Sequence, residues 1–339
     1  MTPAVALPPA AWLVAVALGI VYVVWGSTYL AIRVMVEDLP PMASASWRYL
    51  VAGLLLGAIL AARSGLGRLR ATRRELAGCA ALGLLLPALG NGLVSVGEHQ
   101  GAPSGIAALL VAAVPLWVIV YRRLSGDRPS RRTLFGVLLG FAGLVLLIAS
   151  QGIEGDVAVG ACLVIMCATV FWSFGSWSTP RLTLPQDAFV LTVYEMLFGS
   201  VWLLLFAAVR GEHLLPTSAP LDAWLAWVYL VTFGSVVAFT AYVWVLSVAP
   251  ISLVATYAYV NPVVAVFLGW LILSEAVTLS VLVGGAIVVG AVAVVVSAER
   301  QTTRNAAAAL DAAGSGDGRL HEGDDLLLDL RTPLQQREG

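Results

Sequence analysis

Two charged residues lie deep inside apolar runs of this sequence, and their side chains are suited to bind or exchange ions. Arg48 falls within SASWRYLVAGLLLGAIL and Glu195 within LTVYEMLFGS. A guanidinium attracts a solute carboxylate, and a carboxyl group exchanges a proton. Charges inside a membrane helix are costly and are usually functional. We therefore predict a transport site that contains both residues, with a purely structural ion pair as the alternative.

The composition places these runs in a lipid bilayer. The chain is 60% hydrophobic and 12% charged, against about 45–50% and 25% in soluble domains. Lysine is absent, so every cationic side chain is an arginine. This absence excludes a P-loop ATPase and a Schiff-base enzyme, and no basic surface for nucleic acid is indicated. Active transport would have to draw on an ion gradient.

Apolar runs long enough to cross a bilayer recur along the chain. A span needs about 20 residues, at 1.5 Å of rise per residue through about 30 Å of hydrocarbon. The first run lacks the charged flank of a signal peptide, so we interpret it as a span. The sequence predicts an all-α membrane protein with ten transmembrane helices, near 11–33, 41–62, 76–97, 103–122, 132–150, 157–179, 186–209, 222–245, 249–272 and 278–297.

Arginines in the connections predict the orientation. They crowd the second and fourth connections, whereas the first, third and fifth carry acidic residues. By the positive-inside rule the arginine-rich connections are cytoplasmic, which places both termini in the cytoplasm. Residues 1–10 are then a short cytoplasmic N-terminus. The polar residues 298–339 are predicted to be a disordered cytoplasmic tail.

An internal repeat relates the two halves of the chain. An offset of 147 residues pairs Trp25 with Trp172, Pro115 with Pro262, and also Arg48 with Glu195. Each copy, 11–150 and 151–297, contains five predicted spans, and an odd number inverts the second copy in the membrane. Inverted repeats are typical of secondary transporters, whose substrate site lies near the midplane. We expect Glu195 or a water-filled cavity to compensate Arg48.

Other polar and aromatic residues at membrane depth extend the predicted pathway. Pro115 and Pro262 each remove a helical hydrogen bond, and we interpret them as hinges, with static bends as the alternative. Glu98 and His99 close span 3 and form either an outer gate with proton access or a polar helix end. Glu275 is expected to cap span 10. The remaining predicted pathway residues are Trp25, Tyr29, Asn91, Trp172, Tyr259 and Asn261.

Motifs of enzymes and of metal sites are not found in the sequence. H-E-x-x-H and G-x-S-x-G are absent, and the three histidines, His99, His213 and His321, lie in separate loops. The three cysteines lie in apolar runs without C-x-x-C spacing, which favours a packing role. We therefore expect neither catalysis nor a metal or other cofactor.

Several motifs together resemble the EamA-type transporters of the drug/metabolite transporter superfamily. They are WGSTYLAIRV (25–34), PPMASASWRYLVAGLLL (40–56), PSGIAALLVAAVPLW (103–117) and TYAYVNPVVAVFLGWLILSE (256–275). GNGLVSVGEHQGAPSGIAALL (90–110) is similar to the YedA-like members. The resemblance covers about residues 12–297 and implies ten helices, two inverted EamA repeats, and export or exchange of small metabolites across a bacterial cytoplasmic membrane.

These observations together predict a secondary transporter of a small metabolite, an amino acid or an amphiphilic compound. The expected mechanism is alternating access driven by inward proton movement, and the expected partners are the solute, the lipid bilayer and protons. A passive facilitator of the same fold is the first alternative, and a membrane sensor that transports nothing is the second. The sequence leaves the substrate and the oligomeric state open.

Overall fold

The computed structural model describes residues 11–154, 159–215, 218–248, 257–298 and 301. Helices make up most of these residues, and none of them forms a strand. The predicted tail, 298–339, lies outside the described residues apart from positions 298 and 301, as does the predicted N-terminal segment, 1–10.

The helices are numbered here in chain order, and consecutive helical segments of one run share a number. In the first half they are α1 (Ala11–Asp38), α2 (Pro41–Ser64), α3 (Arg73–His99), α4 (Ser104–Leu124) and α5 (Arg131–Glu154). In the second half they are α6 (Val159–Ser178), α7 (Ala188–Val209), α8 (221–248), α9 (Tyr257–Leu273) and α10 (Leu279–Ala298).

Eight of the described helices are long and apolar enough to cross a membrane. They are α1 to α4, α6 to α8 and α10. In α9 the apolar segment, Val260–Leu273, is shorter than a full span. The helix α5 has 24 residues, but the side chains of its last turns are outside the described part. Transmembrane helices predominate because their backbone groups are all hydrogen-bonded within the segment.

Local sequence signals set several helix ends. Thr72 and Glu75 form a capping box at the start of α3, in which each side chain binds the other residue's amide. Pro41 occupies the first turn of α2, where its missing amide donor costs nothing. Asp187 caps α7 by accepting a hydrogen bond of 2.9 Å from the Phe189 amide.

Small residues let helices of the two halves approach closely. A Cβ added at Gly53 of α2 would lie 3.1 Å from the Leu197 side chain of α7. A Cβ added at Gly83 of α3 would lie 2.7 Å from the Gly199 amide nitrogen of α7. Close contact of this kind is typical of small residues in membrane helices. It places α2 and α3 of the first half directly against α7 of the second.

Three helices depart from regular α geometry beside this interface. Within α3, Leu84–Asn91 is π-helical and contains Pro87. Within α8, Leu230–Val237 is also π-helical. The helix α4 is broken between Ser104–Val111 and Val114–Leu124, and Pro115 lies at the start of the second piece. Single π-helical turns and broken helices are frequent at functional sites, because they free backbone groups and re-aim side chains.

The expectation that Glu275 caps span 10 is wrong. Its carboxylate instead accepts hydrogen bonds from the Ser104 amide at 2.7 Å and the Gly105 amide at 3.2 Å, so that it caps α4. The sequence suggested α10 because that helix follows Glu275 directly. The carboxylate takes the amides of a helix from the other half, where the positive end of the helix dipole also attracts it.

Candidate functional site

A cavity of about 140 Å³ lies between the two halves. Its wall is formed by α1 to α4 and α6 to α9. Most of the residues predicted for the pathway line it, namely Trp25, Tyr29, Arg48, Asn91, Trp172, Glu195 and Asn261, together with the predicted hinges Pro115 and Pro262. Residues that the 147-residue offset pairs therefore line the same cavity.

Arg48 is buried, with 4% of its surface exposed, and polar groups from both halves hold its guanidinium. Its Nε donates a hydrogen bond of 3.0 Å to Oγ of Ser235, and its Nη1 donates one of 3.4 Å to Oδ1 of Asn91. The guanidinium also lies 4.9 Å from the ring centroid of Tyr49. A charge at the centre of a span costs about 2.5–3.5 kcal/mol on insertion scales, and these contacts offset part of that cost.

Both hydrogen-bonding partners of Arg48 come from the π-helical segments. Asn91 ends the segment in α3, and Ser235 lies in the segment of α8. Pro87 and Gly234 of the same segments also line the cavity. The offset of 147 residues places Leu84 opposite Val231, so the two π-helical segments lie within one residue of equivalent positions in the two halves. One segment from each half therefore fixes the cation of the cavity.

Glu195 lines the same cavity but is held differently. Its residue is 9% exposed, and none of the hydrogen bonds found among the described residues involves its carboxylate. The described ion pairs likewise include none between Glu195 and Arg48. A direct ion pair is therefore not what compensates Arg48 in this structure. Glu195 presents an unpaired carboxyl group to the cavity, where water or a solute can reach it.

Aromatic side chains form one wall of the cavity. The Trp25 ring centroid lies 4.9 Å from that of Tyr242 and 5.3 Å from that of Tyr257. The indole nitrogen of Trp25 donates to the carbonyl of Gly234 at 3.2 Å, which fixes the ring. Phe239 and Trp172 also face the cavity. Rigid aromatic surfaces suit an amphiphilic solute, since they stack on apolar groups and attract cations.

The remaining predicted residues are placed differently. Asn261 is 6% exposed, and its Oδ1 has no hydrogen-bond partner within the described residues. Glu98 and His99 do not line the cavity. Glu98 is fully buried, whereas His99 is exposed and contacts the carbonyl of Val36 at 2.6 Å, so the two side chains lie in different environments. The Tyr259 side chain lies outside the described residues.

Sequence reasoning missed Ser235, although a signal for it existed. Ser235 is a polar residue at the centre of the apolar run LVTFGSVV. It is 2% exposed, and a buried hydroxyl in a membrane helix needs a partner. Serine can satisfy that need within its own helix, so the run alone does not identify Arg48 as the partner.

No metal site is found in the part of the chain that the structure describes. The histidine, cysteine, aspartate and glutamate side chains there form no group of three that could hold an ion. The cavity contains one carboxylate, one guanidinium, amides, hydroxyls and aromatic rings. These groups can bind a charged or amphiphilic solute and can exchange a proton.

Comparison with known proteins identifies a family. The sequence profile of the EamA-like transporter family matches residues 10–149 and, a second time, residues 159–297. The "Uncharacterized inner membrane transporter YedA" of Escherichia coli (strain K12) is 42% identical over 254 residues, which cover 75% of this chain and 80% of that protein.

More distant proteins extend the match along the chain. The "Uncharacterized transporter YoaV" of Bacillus subtilis (strain 168) is 24% identical over 285 residues, which cover 81% of this chain and 94% of that one. A solved structure described as "Crystal structure of protein" superimposes with a TM-score of 0.58 at 21% identity. It covers 84% of this chain and 98% of the solved chain, and it supports the fold alone.

Proposed function

Because this chain belongs to the EamA-like transporter family, we propose that it is a secondary transporter that exports or exchanges a small metabolite by alternating access. It is a multi-pass protein of the bacterial inner membrane. The proposed solute is an amino acid or an amphiphilic compound. The proposed topology has ten transmembrane helices in two inverted repeats, with both termini in the cytoplasm.

The observation that carries the proposal is a cavity with two opposite charges, one from each half. Arg48 of the first half is hydrogen-bonded, and Glu195 of the second half has no partner among the described residues. A solute with an anionic group would bind Arg48, and its apolar part would contact the rings around Trp25. Residues from both halves surround the solute, so rocking of the halves would expose it to one side at a time.

Proton coupling is the part of the proposal that depends on Glu195. A carboxyl group that faces a cavity without a partner is free to exchange a proton with water or with a bound solute. Inward movement of that proton would drive export. Pro115 and Pro262, which line the cavity on α4 and α9, are the proposed hinges.

A passive facilitator with the same cavity is the second candidate. In that case Glu195 would bind the solute without carrying a proton, and a pH gradient would leave the flux unchanged. A sensor or an intramembrane enzyme is disfavoured, because both family matches together span most of the chain and belong to transporters.

The test uses purified protein in liposomes and a panel of radiolabelled amino acids, sugars and amphiphilic cations. Flux is measured with and without an imposed pH gradient, for the wild type and for E195Q. We expect the gradient to accelerate wild-type flux and to have no effect on E195Q, while E195Q still exchanges solute in the absence of a gradient.

Three outcomes would contradict parts of the proposal. Equal acceleration of the wild type and E195Q would reject Glu195 as the proton carrier. Wild-type flux that is insensitive to the gradient would favour the facilitator. No flux of any panel member would count against transport of these solute classes.

A further inference from the structure

Glu98 has surroundings that set it apart from other carboxylates of the described chain. It lies in the last turn of α3 and is 0% exposed. Neither Oε1 nor Oε2 has a hydrogen-bond partner among the described residues. An ionised carboxylate that is removed from water without a partner is strongly disfavoured, so such a group either carries a proton or holds a cation.

The arginine that interacts electrostatically with this carboxylate forms no ion pair with it in the described structure. Arg33 of α1 interacts electrostatically with Glu98, yet its Nη1 donates to the backbone carbonyl of Glu98. The Nη2 of Arg33 instead lies 3.4 Å from the carboxylate of Glu37. Arg33 is therefore bound to other acceptors, and the Glu98 side chain has no counter-ion among the described residues.

Two further described residues, one acidic and one phenolic, interact electrostatically with Glu98. Glu275, on the segment after α9, interacts with it electrostatically, but the carboxylate of Glu275 is held by the first amides of α4. Tyr29 of α1 interacts with it as well. On α3 itself, His99 is turned toward Val36.

The position of Tyr29 connects this buried group to the central cavity. Tyr29 lines the cavity and also interacts electrostatically with Glu98. Glu98 itself is not part of the cavity wall. Glu98 and Glu195, whose carboxyl groups have no partner among the described residues, are therefore in separate environments: one is fully buried and the other faces the cavity.

We propose that Glu98 is a second proton-binding site, outside the solute cavity, which holds a proton in this conformation. The inference rests on the proposed transport function and adds a site to it. Opening of the α3–α4 turn would hydrate Glu98. The O–H bond of the carboxyl group would then break, the carboxylate would keep the electron pair, and water would take the proton. Closing of the turn requires that the proton return.

The experiment is infrared spectroscopy of the purified protein in lipid nanodiscs at neutral pH, which detects the C=O stretch of a protonated carboxyl group. The spectra of the single variant E195Q and the double variant E195Q/E98Q are compared, so that Glu195 contributes to neither. We expect a protonated-carboxyl band in E195Q and its loss in the double variant. An identical band in both proteins, or no band in E195Q, would overturn the proposal.

A comparison of two salts distinguishes a proton bound to Glu98 from a bound sodium ion. The E195Q spectrum is recorded in sodium chloride and again in choline chloride, and we expect the same band in both. A band that appears in choline chloride and disappears in sodium chloride would assign the site to sodium and overturn the proposal.

A second variant covers the case in which E98Q does not fold. E98D keeps a carboxyl group on a side chain that is one methylene shorter. We expect the protonated-carboxyl band of the double variant E195Q/E98D to differ in frequency from that of E195Q. An unshifted band would assign the signal to another residue. The infrared result needs no solute, so failure of the flux assay would count against transport of the tested solute classes while leaving this test intact.

Discussion

The helices α2 and α7 contact each other across the interface between the halves, yet they hold their charges differently. Arg48 of α2 is fixed by Ser235 and Asn91, which belong to different halves. Glu195, at the equivalent position of α7, faces the cavity without a partner in the described structure. The two equivalent positions therefore line the same cavity but have different hydrogen-bonding environments.

The same contrast occurs at the paired prolines. Pro115 follows a break in α4 between Val111 and Val114, whereas Pro262 lies inside the continuous α9. Equivalent residues thus produce a broken helix in the first half and an unbroken helix in the second. The two halves therefore differ at the cavity: the first contributes a hydrogen-bonded guanidinium and a broken helix, and the second contributes a continuous helix and a carboxyl group without a partner among the described residues.

The largest expected effect comes from removing the fixed cation. R48A deletes the charge and its two hydrogen bonds, which are worth roughly 1.5–3 kcal/mol each when a charged group is involved. We expect flux of the transported solute to fall at least about tenfold, at 1.4 kcal/mol per factor of ten. R48K keeps the charge but not the planar fork, so its flux should lie between R48A and wild type.

That prediction is checked by the initial rate of flux in liposomes that contain equal amounts of folded protein. R48A flux at half the wild-type rate or above would mean that the guanidinium is structural, and that the two positions do not differ in function.

The partners of Arg48 should be unequal. Ser235 accepts at 3.0 Å and Asn91 at 3.4 Å, near the limit for a hydrogen bond. We expect S235A to raise the half-saturating solute concentration about fivefold, for a loss near 1 kcal/mol, and N91A to raise it less. T240A is the matched control, because its hydroxyl binds the Val236 carbonyl of its own helix.

The half-saturating solute concentration of each variant is obtained by measuring flux as a function of solute concentration. A larger effect from N91A than from S235A would show that the first half, rather than both halves, positions the guanidinium.

The prolines allow a direct test of the unequal helices. P115A restores an amide donor beside the break in α4, so that the hydrogen bond which would join the two pieces can form. We expect P115A to straighten α4 and to slow solute exchange. P262A should slow exchange less, since α9 is already continuous. The exchange rate at saturating solute is the measurement, and a slower P262A than P115A would reverse the assignment of the main hinge.

The smallest effect is expected at the helix ends outside the membrane. Burial alone would raise the pKa of Asp187, but the hydrogen bonds from Arg68 and from the Phe189 amide hold the pKa below its ordinary value. The Nε of Arg68 lies 2.8 Å from Oδ2 of Asp187, and the two side chains are 32% and 34% exposed. The ion pair therefore contributes at most about 1 kcal/mol to the free energy of unfolding.

A carboxylate with a lowered pKa stabilises the fold above its unfolded pKa of about 3.9, and this contribution is lost as the pH falls through the folded value. D187N keeps a good N-cap but loses the ion pair. We expect D187N to melt at a slightly lower temperature than wild type at neutral pH, and the difference to shrink under acid conditions. A difference that is constant with pH would exclude the ion pair as its cause.

Much of the fold follows from the sequence because apolar run length sets helix length. Predicted spans such as 41–62 and 186–209 agree closely with α2 (Pro41–Ser64) and α7 (Ala188–Val209). The π-helical segments were not predictable in this way. A π turn adds one residue without changing the apolar character of the run, so Leu84–Asn91 and Leu230–Val237 have no distinct pattern.

The sequence predicted those residues of the site that the repeat offset pairs with each other, and it did not predict Ser235. The offset links Arg48 with Glu195 and Trp25 with Trp172, all of which line the cavity. It gives no partner for Ser235, whose equivalent in the first half is Ala88. The offset also does not predict the surroundings of Glu98 and His99. Adjacent residues on a helix point about 100° apart, so these two side chains reach different environments although they are neighbours in the sequence.

The opposite charges at the paired positions of α2 and α7 also bear on how such a chain could be assembled. Two identical subunits related by symmetry would carry the same side chain at both positions, and two guanidiniums or two carboxylates would then face one cavity and repel each other. Joining the copies in a single polypeptide removes that requirement. Each copy can then change its side chain independently, and a dipolar pocket becomes accessible that no symmetric homodimer could build.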